Sequence, residues 1–256
     1  MYKIGYRIKL PADMELQKMF LSQYSTLFDT FELKITNDIL CASCIENIMY
    51  SIRLFNIKNY SFHLFKDSFY NIESYSKTKH FIMQLSKMKL KQNAVLVTHY
   101  MGNNLLNKDF INELLKTNTY CFCIENIEVY DDLFEYLEEL KTFVNELNCY
   151  VCLDIGHLLF SAKRCNINSN EVIEYISSDC WWKTRIKEIH LHDFNDQKCH
   201  LNIGTGELDF YDIIALISEK LPIILETKIK DLSKEGIEEL QYTKERLIKY
   251  GNTGNF

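Results

Sequence analysis

The sequence predicts an α/β protein, a single (β/α)8 barrel domain over residues 1–256, and three observations point there. Short apolar runs alternate with longer segments of 3.6-residue apolar spacing along nearly the whole chain, the mark of repeated βα units. Eight such runs fall within 256 residues, the size of an eight-stranded barrel. With 8 Gly and 2 Pro, little chain is left for a linker or for the many turns of an all-β sandwich.

The first run, Tyr2 to Ile8, opens the barrel. The segment after it, Lys9-Leu10-Pro11-Ala12-Asp13, lacks the glycines that cradle a pyrophosphate, so a doubly wound open sheet is the weaker reading. Strand Thr30 to Ile35 precedes the amphipathic stretch Asn37 to Leu54, and strand Tyr60 to Leu64 precedes Ile72 to Leu90. Ala94 to Thr98 leads to Asp109–Leu115, Cys121 to Glu125 to Asp131–Leu147, and Tyr150 to Leu153 to Glu171–Ile176. Ile186 to Leu191 is followed by Phe210–Ser218, and Ile223 to Glu226 by a closing helix from Leu232 to Ile248.

Composition narrows the function classes. At 47% hydrophobic and 25% charged the chain can bury a sizeable core. A net charge of −6 offers no global attraction for nucleic acid, and no run of 18 apolar residues could span a membrane. Nine cysteines without an apolar leader fit the reducing cytoplasm, the expected compartment. Two Cys-x-x-Cys pairs, Cys41/Cys44 and Cys149/Cys152, fall in a helical and a strand pattern respectively. Residues three apart on a strand face opposite sides, so the thiols are read as small apolar filler rather than as a zinc ribbon.

Functional side chains of a barrel project from the carboxyl ends of its strands. Six consecutive runs end in Ser61-Phe62-His63, Val97-Thr98-His99, Cys123-Ile124-Glu125, Cys152-Leu153-Asp154, Glu188-Ile189-His190 and Ile224-Leu225-Glu226. Imidazoles and carboxylates converging on one mouth repel or desolvate one another unless cations sit between them, and a mixed His/Asp/Glu set suits zinc, manganese or iron. His157 and His200 lie in the segments after strands six and seven, with His157 placed at the start of a loop. His192, two residues beyond His190, points the same way and is expected to stand behind the ligands.

The series Cys152-Leu153-Asp154-Ile155-Gly156-His157, Ile189-His190-Leu191-His192-Asp193, His200-Leu201-Asn202-Ile203-Gly204-Thr205-Gly206 and Ile224-Leu225-Glu226-Thr227 resembles the xylose-isomerase-like TIM-barrel superfamily. Within it the series is most similar to the endonuclease IV (AP endonuclease family 2) branch, over about His63 to Thr227. The resemblance implies a zinc enzyme, with manganese as the alternative. One metal would take His63, His99 and Glu125, and a second would share Glu125 and add Asp154, His190 and Glu226. A third site would need His157, His200 and an Asp two residues before His200. Lys198 stands there, with Asp196 the nearest carboxylate, so two metals are expected and Lys198 is read as a positive partner for phosphate.

Further departures bear on substrate. His99-Tyr100-Met101-Gly102-Asn103-Asn104 replaces the His-Pro-Gly-Ser-His of the branch's DNA enzymes, and Lys66 replaces an aromatic wedge, which weakens base-flipping recognition. Gly204-Thr205-Gly206 before a short helix fits a barrel phosphate seat. The expected activity is therefore a two-metal phosphodiester hydrolase acting on a small or nucleotide-containing phosphoester such as a cobamide, nucleic acid being not favoured. Glu125 would bridge the ions, and Glu226, His200 and Lys198 would complete the catalytic set. The alternative is a sugar or sugar-phosphate isomerase or epimerase with one cation on Glu125, Asp154, His190 and Glu226, in which His63 and His99 bind hydroxyls; a non-catalytic binding barrel ranks third.

The remaining features receive structural readings. Trp181-Trp182 caps the outer layer, Glu46 of the Cys44–Asn47 tetrad is a solvated helix residue, and the Lys/Glu clusters at 227–247 form an exposed helix face. Oligomeric state is not legible in the sequence.

Overall fold

A computed structural model describes residues 2–9, 13–28, 30–57, 59–87, 94–102, 108–116, 120–217, 220–228 and 234–253. Eight parallel strands close into a barrel in sequence order: β1 (Lys3–Ile8), β2 (Thr30–Lys34), β3 (Tyr60–His63), β4 (Ala94–His99), β5 (Tyr120–Glu125), β6 (Tyr150–Asp154), β7 (Ile186–Leu191) and β8 (Pro222–Leu225). The ring closes where Ile4 of β1 lies opposite Ile223 of β8. The (β/α)8 barrel read from the sequence is the fold.

Alternation along each strand separates two environments. Ile4, Tyr6 and Ile8 of β1, Phe31 and Leu33 of β2, and Leu153, Ile189 and Leu225 further round are buried against the helices. The intervening residues face the lumen, and the lumen is uneven. On the β4–β6 side Val97, Cys123 and Cys152 pack with Val95, Cys121 and Tyr150. On the other side Arg7, Glu32, Ser61 and Glu188 are polar.

The helices are α1 (Met14–Tyr24), α2 (Ala42–Leu54), α3 (Ile72–Ser86), α4 (Lys108–Lys116), α5 (Leu133–Leu147), α6 (Ile155–Arg164), α7 (Ser169–Ser178), α8 (Cys180–Arg185), α9 (Phe210–Ile213) and α10 (Glu235–Thr253). Most start on a polar N-cap: Asp13, Asn71, Asp132, Asn168, Asp179 and Asp209 each accept a backbone N–H of the first turn.

Several expectations change in detail. The stretch Asn37 to Leu54 divides into a 3-10 turn at Asn37–Ile39 and α2, because Cys41 acts as the N-cap. Phe210 to Ser218 shortens to the single turn of α9. His157 lies in the first turn of α6 and not in a loop, since Asp154 caps that helix. Residues 10–12, 88–90, 103–104, 218 and 229–233, which entered the sequence reading, lie outside the described residues.

Trp182 is fully buried edge-on to Trp181, whose indole N–H donates to Asn145 Oδ1 at 2.7 Å. The filler reading of the two cysteine pairs fits Cys149 and Cys152, which are buried. It is corrected for Cys41, which is exposed. Among the described residues no helix is long and apolar enough to cross a membrane.

Candidate active site

Because β5 to β8 are lateral neighbours, the residues that end them converge. Asp154 lies opposite His190 in the ladder, and Glu226 follows the last residue of β8, its N–H bonded to Leu191 O at 3.0 Å. One ligand atom each from Glu125, Asp154, His190 and Glu226 lie within 4.8 Å of one another, and all four residues are buried. Asp154 Oδ1 accepts the His157 N–H at 2.8 Å, whereas Asp154 Oδ2 is buried with no hydrogen-bond partner. An orphaned carboxylate oxygen in such company is costly unless a cation takes it, so this donor set fits a divalent metal ion.

Three residues the sequence reading passed over complete the floor. The Arg7 guanidinium reaches Glu32 and Glu226, stands 3.0 Å from His190 Nδ1, and lies 3.6 Å from Glu125 Oε2. Glu32 and Glu188 stand 3.1 and 3.3 Å from His190 Nε2. The signal was there: Arg7, Glu32 and Glu188 interrupt apolar runs at lumen-facing positions, Glu188 two residues before His190.

Burial alone would raise the carboxyl pKa values of this group. For Glu125 it is outweighed by His190, His99 and Arg7, and for Glu32 by Arg7, His190 and His63; both sit below the ordinary carboxylate range. Glu226 is lowered against burial by Arg7 and His190. Burial opposes the charged form of His190, but Cys152, Glu32, Glu226 and Glu125 hold its pKa well up. Glu188 is raised by burial.

His63 and His99 flank Glu125. His63 Nδ1 faces Leu64 O at 2.9 Å and its Nε2 faces Glu125 Oε2 at 2.8 Å, so each nitrogen needs a proton or a cation. His99 Nε2 lies 3.4 Å from the same oxygen. Burial lowers the His99 pKa to about 4, which keeps its imidazole neutral at pH 7.

A second cluster adjoins Asp154. The His192 ring stands 4.7 Å from that of His157 and 4.2 Å from that of His200, with Cys199 beside them, and ligand atoms of these four lie within 4.8 Å of one another. His192 Nε2 is 3.2 Å from Asp154 Oδ1, and the His200 N–H donates to His192 Nδ1 at 3.0 Å. A Cβ on Gly156 would fall 2.3 Å from the His192 ring, so only glycine lets α6 approach this closely. Burial, reinforced by His192, lowers His200 to about 4. Cys199, whose thiol lies 2.6 Å from Glu128 Oε1, is a member the sequence reading missed because it saw only its neighbour Lys198.

Two expectations fail here. Lys198 is exposed in a turn, its N–H bonded to Asn195 Oδ1 at 3.1 Å, and it does not line the cavity; Asp196 pairs with Lys163. Gly204-Thr205-Gly206 is not an anion seat. The Gly204 and Gly206 N–H groups donate to Asp193 Oδ2 at 2.9 and 2.8 Å, and those of Phe194 and Leu208 to Asp193 Oδ1 at 2.8 and 2.9 Å. A buried carboxylate of the chain already occupies that cradle, and a Cβ on Gly206 would fall 2.1 Å from Phe194 O.

Above the floor opens a cavity of about 520 Å³, lined by Arg7, Lys34, Lys66, His63, His99, His157, His200 and Glu226 among others. Its volume suits a small molecule.

A family model described as the xylose isomerase-like TIM barrel matches residues 109–246, more than half of the chain. The chain belongs to that family. No curated protein matches this xylose isomerase-like barrel in sequence. Among solved structures it is similar to a D-allulose 3-epimerase from Methylomonas sp. (13% identity, TM-score 0.65, 96% of this chain and 98% of that one). An L-ribulose 3-epimerase also matches (13%, 0.62, 99% and 97%). So does a fusion of a xylose isomerase-like TIM barrel with a 4-hydroxyphenylpyruvate dioxygenase (14%, 0.60, 96% and 44%). These structures correct the expected phosphodiester hydrolase: two of the three are sugar 3-epimerases, which favours the isomerase and epimerase alternative.

Proposed function

We propose that this chain is a divalent-cation-dependent isomerase or epimerase of a small sugar or sugar phosphate. The observation that carries the reading is the buried convergence of Glu125, Asp154, His190 and Glu226 beneath a cavity of small-molecule size. Two sugar epimerases with the same barrel support it. Those four residues would hold the cation, and three carboxylates with one imidazole suit manganese or zinc. When bound, the cation supplies Lewis-acid polarisation of a carbonyl and its neighbouring hydroxyl, which acidifies the adjacent C–H.

The chain's own residues do the rest. Glu125 on β5 and Glu226 just after β8 stand three strands apart round the ring, so they approach a substrate over the floor from different sides. One carboxylate takes the proton from the carbon next to the carbonyl, and the other relays a proton taken up from solvent to the opposite face. His99 and His200, neutral at pH 7, and His63 face the cavity and hold sugar hydroxyls. Arg7 keeps Glu226 ionised and fixes its direction.

The test is incubation of manganese- or zinc-loaded protein with ketoses and ketose phosphates in deuterium oxide, followed by NMR. The reading expects solvent deuterium beside the carbonyl, a new epimer or isomer, and about one bound ion per chain. A cation-loaded, folded protein that exchanges no carbon-bound hydrogen in any ketose or ketose phosphate overturns it.

A further inference from the structure

The cysteine pair at the start of α2 is used by none of this chemistry. Cys41 is the N-cap of α2, exposed, and its Sγ lies 2.7 Å from that of Cys44, which is half-buried beneath it. The Cys44 N–H points at Cys41 Sγ at 3.3 Å, and the Ser43 hydroxyl stands 3.3 Å away. No other pair among the nine cysteines combines an exposed sulfur, a helix N-terminus and a second thiol in contact.

From this geometry we propose that Cys41 and Cys44 form a thiol–disulfide exchange site that reacts with low-molecular-weight disulfides. Cys41 is the nucleophile, since an outside disulfide reaches it first and its thiolate is received by N–H groups at the positive end of a helix. Hydrogen bonds from Cys44 and Ser43 lower its pKa. The Cys41 thiolate attacks one sulfur of the external disulfide, forming a mixed disulfide and expelling one thiolate. The Cys44 sulfur then loses its proton, attacks Cys41 Sγ and expels the second. Two protein thiols are oxidised by two electrons to one Cys41–Cys44 disulfide, and the external disulfide is reduced to two thiols, which take up the two protons.

The order of steps follows from the pair. In the dithiol the Cys44 pKa is pushed up to about 11, first by its hydrogen bond to Cys41, then by burial and the Cys41 charge. Two of these three causes vanish once Cys41 is capped, so the second thiol becomes reactive when it is needed. The site follows β2 on the same end of the barrel as the cavity, whose wall includes Lys34 and Ile35.

The experiment places the full folded chain in buffers of reduced and oxidised glutathione, quenches with acid, alkylates the remaining thiols and maps the peptides by mass. The proposal expects a Cys41–Cys44-linked peptide that appears and disappears reversibly with the buffer ratio. Cys44→Ser stops at one glutathionyl group on Cys41, and Cys41→Ser takes up none at Cys44. At pH 7 Cys41 alkylates about threefold or more faster than the exposed Cys180 in the same chain. Persistence of both thiols in excess oxidised glutathione, or equal glutathionylation of Cys41 and Cys180, overturns the proposal.

Discussion

Two groups of ionisable side chains share the barrel mouth and solve the cost of burial in opposite ways. The group on β1, β2, β5 and β7 and just beyond β8 is crowded with carboxylates, Glu32, Glu125 and Glu226, and stays charged because Arg7 and His190 stand among them. The group formed by His157, His192, Cys199 and His200 is imidazole and thiol, and its partly exposed member His200 stays neutral. Asp154 links them, its Oδ1 standing 3.2 Å from His192 Nε2 and its Oδ2 buried without a hydrogen-bond partner. One half of the mouth sets carboxylates beside resident positive charge, and the other gathers imidazoles and a thiol beside Asp154.

The largest effect should come from the charged half. On the proposed function, Glu125→Gln keeps the shape and removes a proton carrier and a cation ligand together, and we expect turnover of the responsive ketose to fall by about 10³-fold or more. Deuterium exchange by NMR, alongside a thermal melt, measures this. A variant as active as the parent would break the division of labour.

On the other side, Asp193→Ala should cost about 3–5 kcal/mol of unfolding free energy, read from denaturant midpoints. It strands four backbone N–H groups and loosens the loop that carries Cys199 and His200.

Arg7→Met sharpens the contrast. With chelator present the carboxylates lose their resident positive charge, and we expect about 3 kcal/mol of destabilisation. Added manganese or zinc should restore more stability to this variant than to the parent, as differential scanning fluorimetry would show.

The smallest effect is one of pH. His200 has an ordinary pKa of 6.5 when unfolded and about 4 when folded, so the unfolded chain takes its proton first. Its contribution is fully present above pH 6.5 and is lost as pH falls from 6.5 toward 4. His200→Asn suits the left-handed φ of 56° and lacks this titration. With chelator present, it should gain on the parent by about 1–2 kcal/mol across that window, measured by chemical unfolding at each pH.

The contrast also explains what could be read in advance. Periodicity marks the surface that faces the helices, where Ile4, Tyr6, Leu153 and Ile189 are apolar for the plain reason that they touch other apolar groups. It is silent about the lumen, and Arg7 and Glu32 looked like exceptions within strands. The strand-end residues His63, His99, Glu125, Asp154, His190 and Glu226 were legible because a barrel gives every strand end the same destination. Lys198 and Gly204–Gly206 were misread because a loop's path depends on contacts remote in sequence. Here it depends on Asp193, whose single carboxylate decides which backbone amides are free.

That carboxylate also separates what must be kept from what can be exchanged. With both ends of the excursion beyond β7 knotted to one side chain, the tip at Asn195–Lys198 is an appendage to a closed ring. Anyone seeking to redesign selectivity at this rim has a natural grafting point there, where new residues can be exchanged or inserted while the staves beneath keep their places.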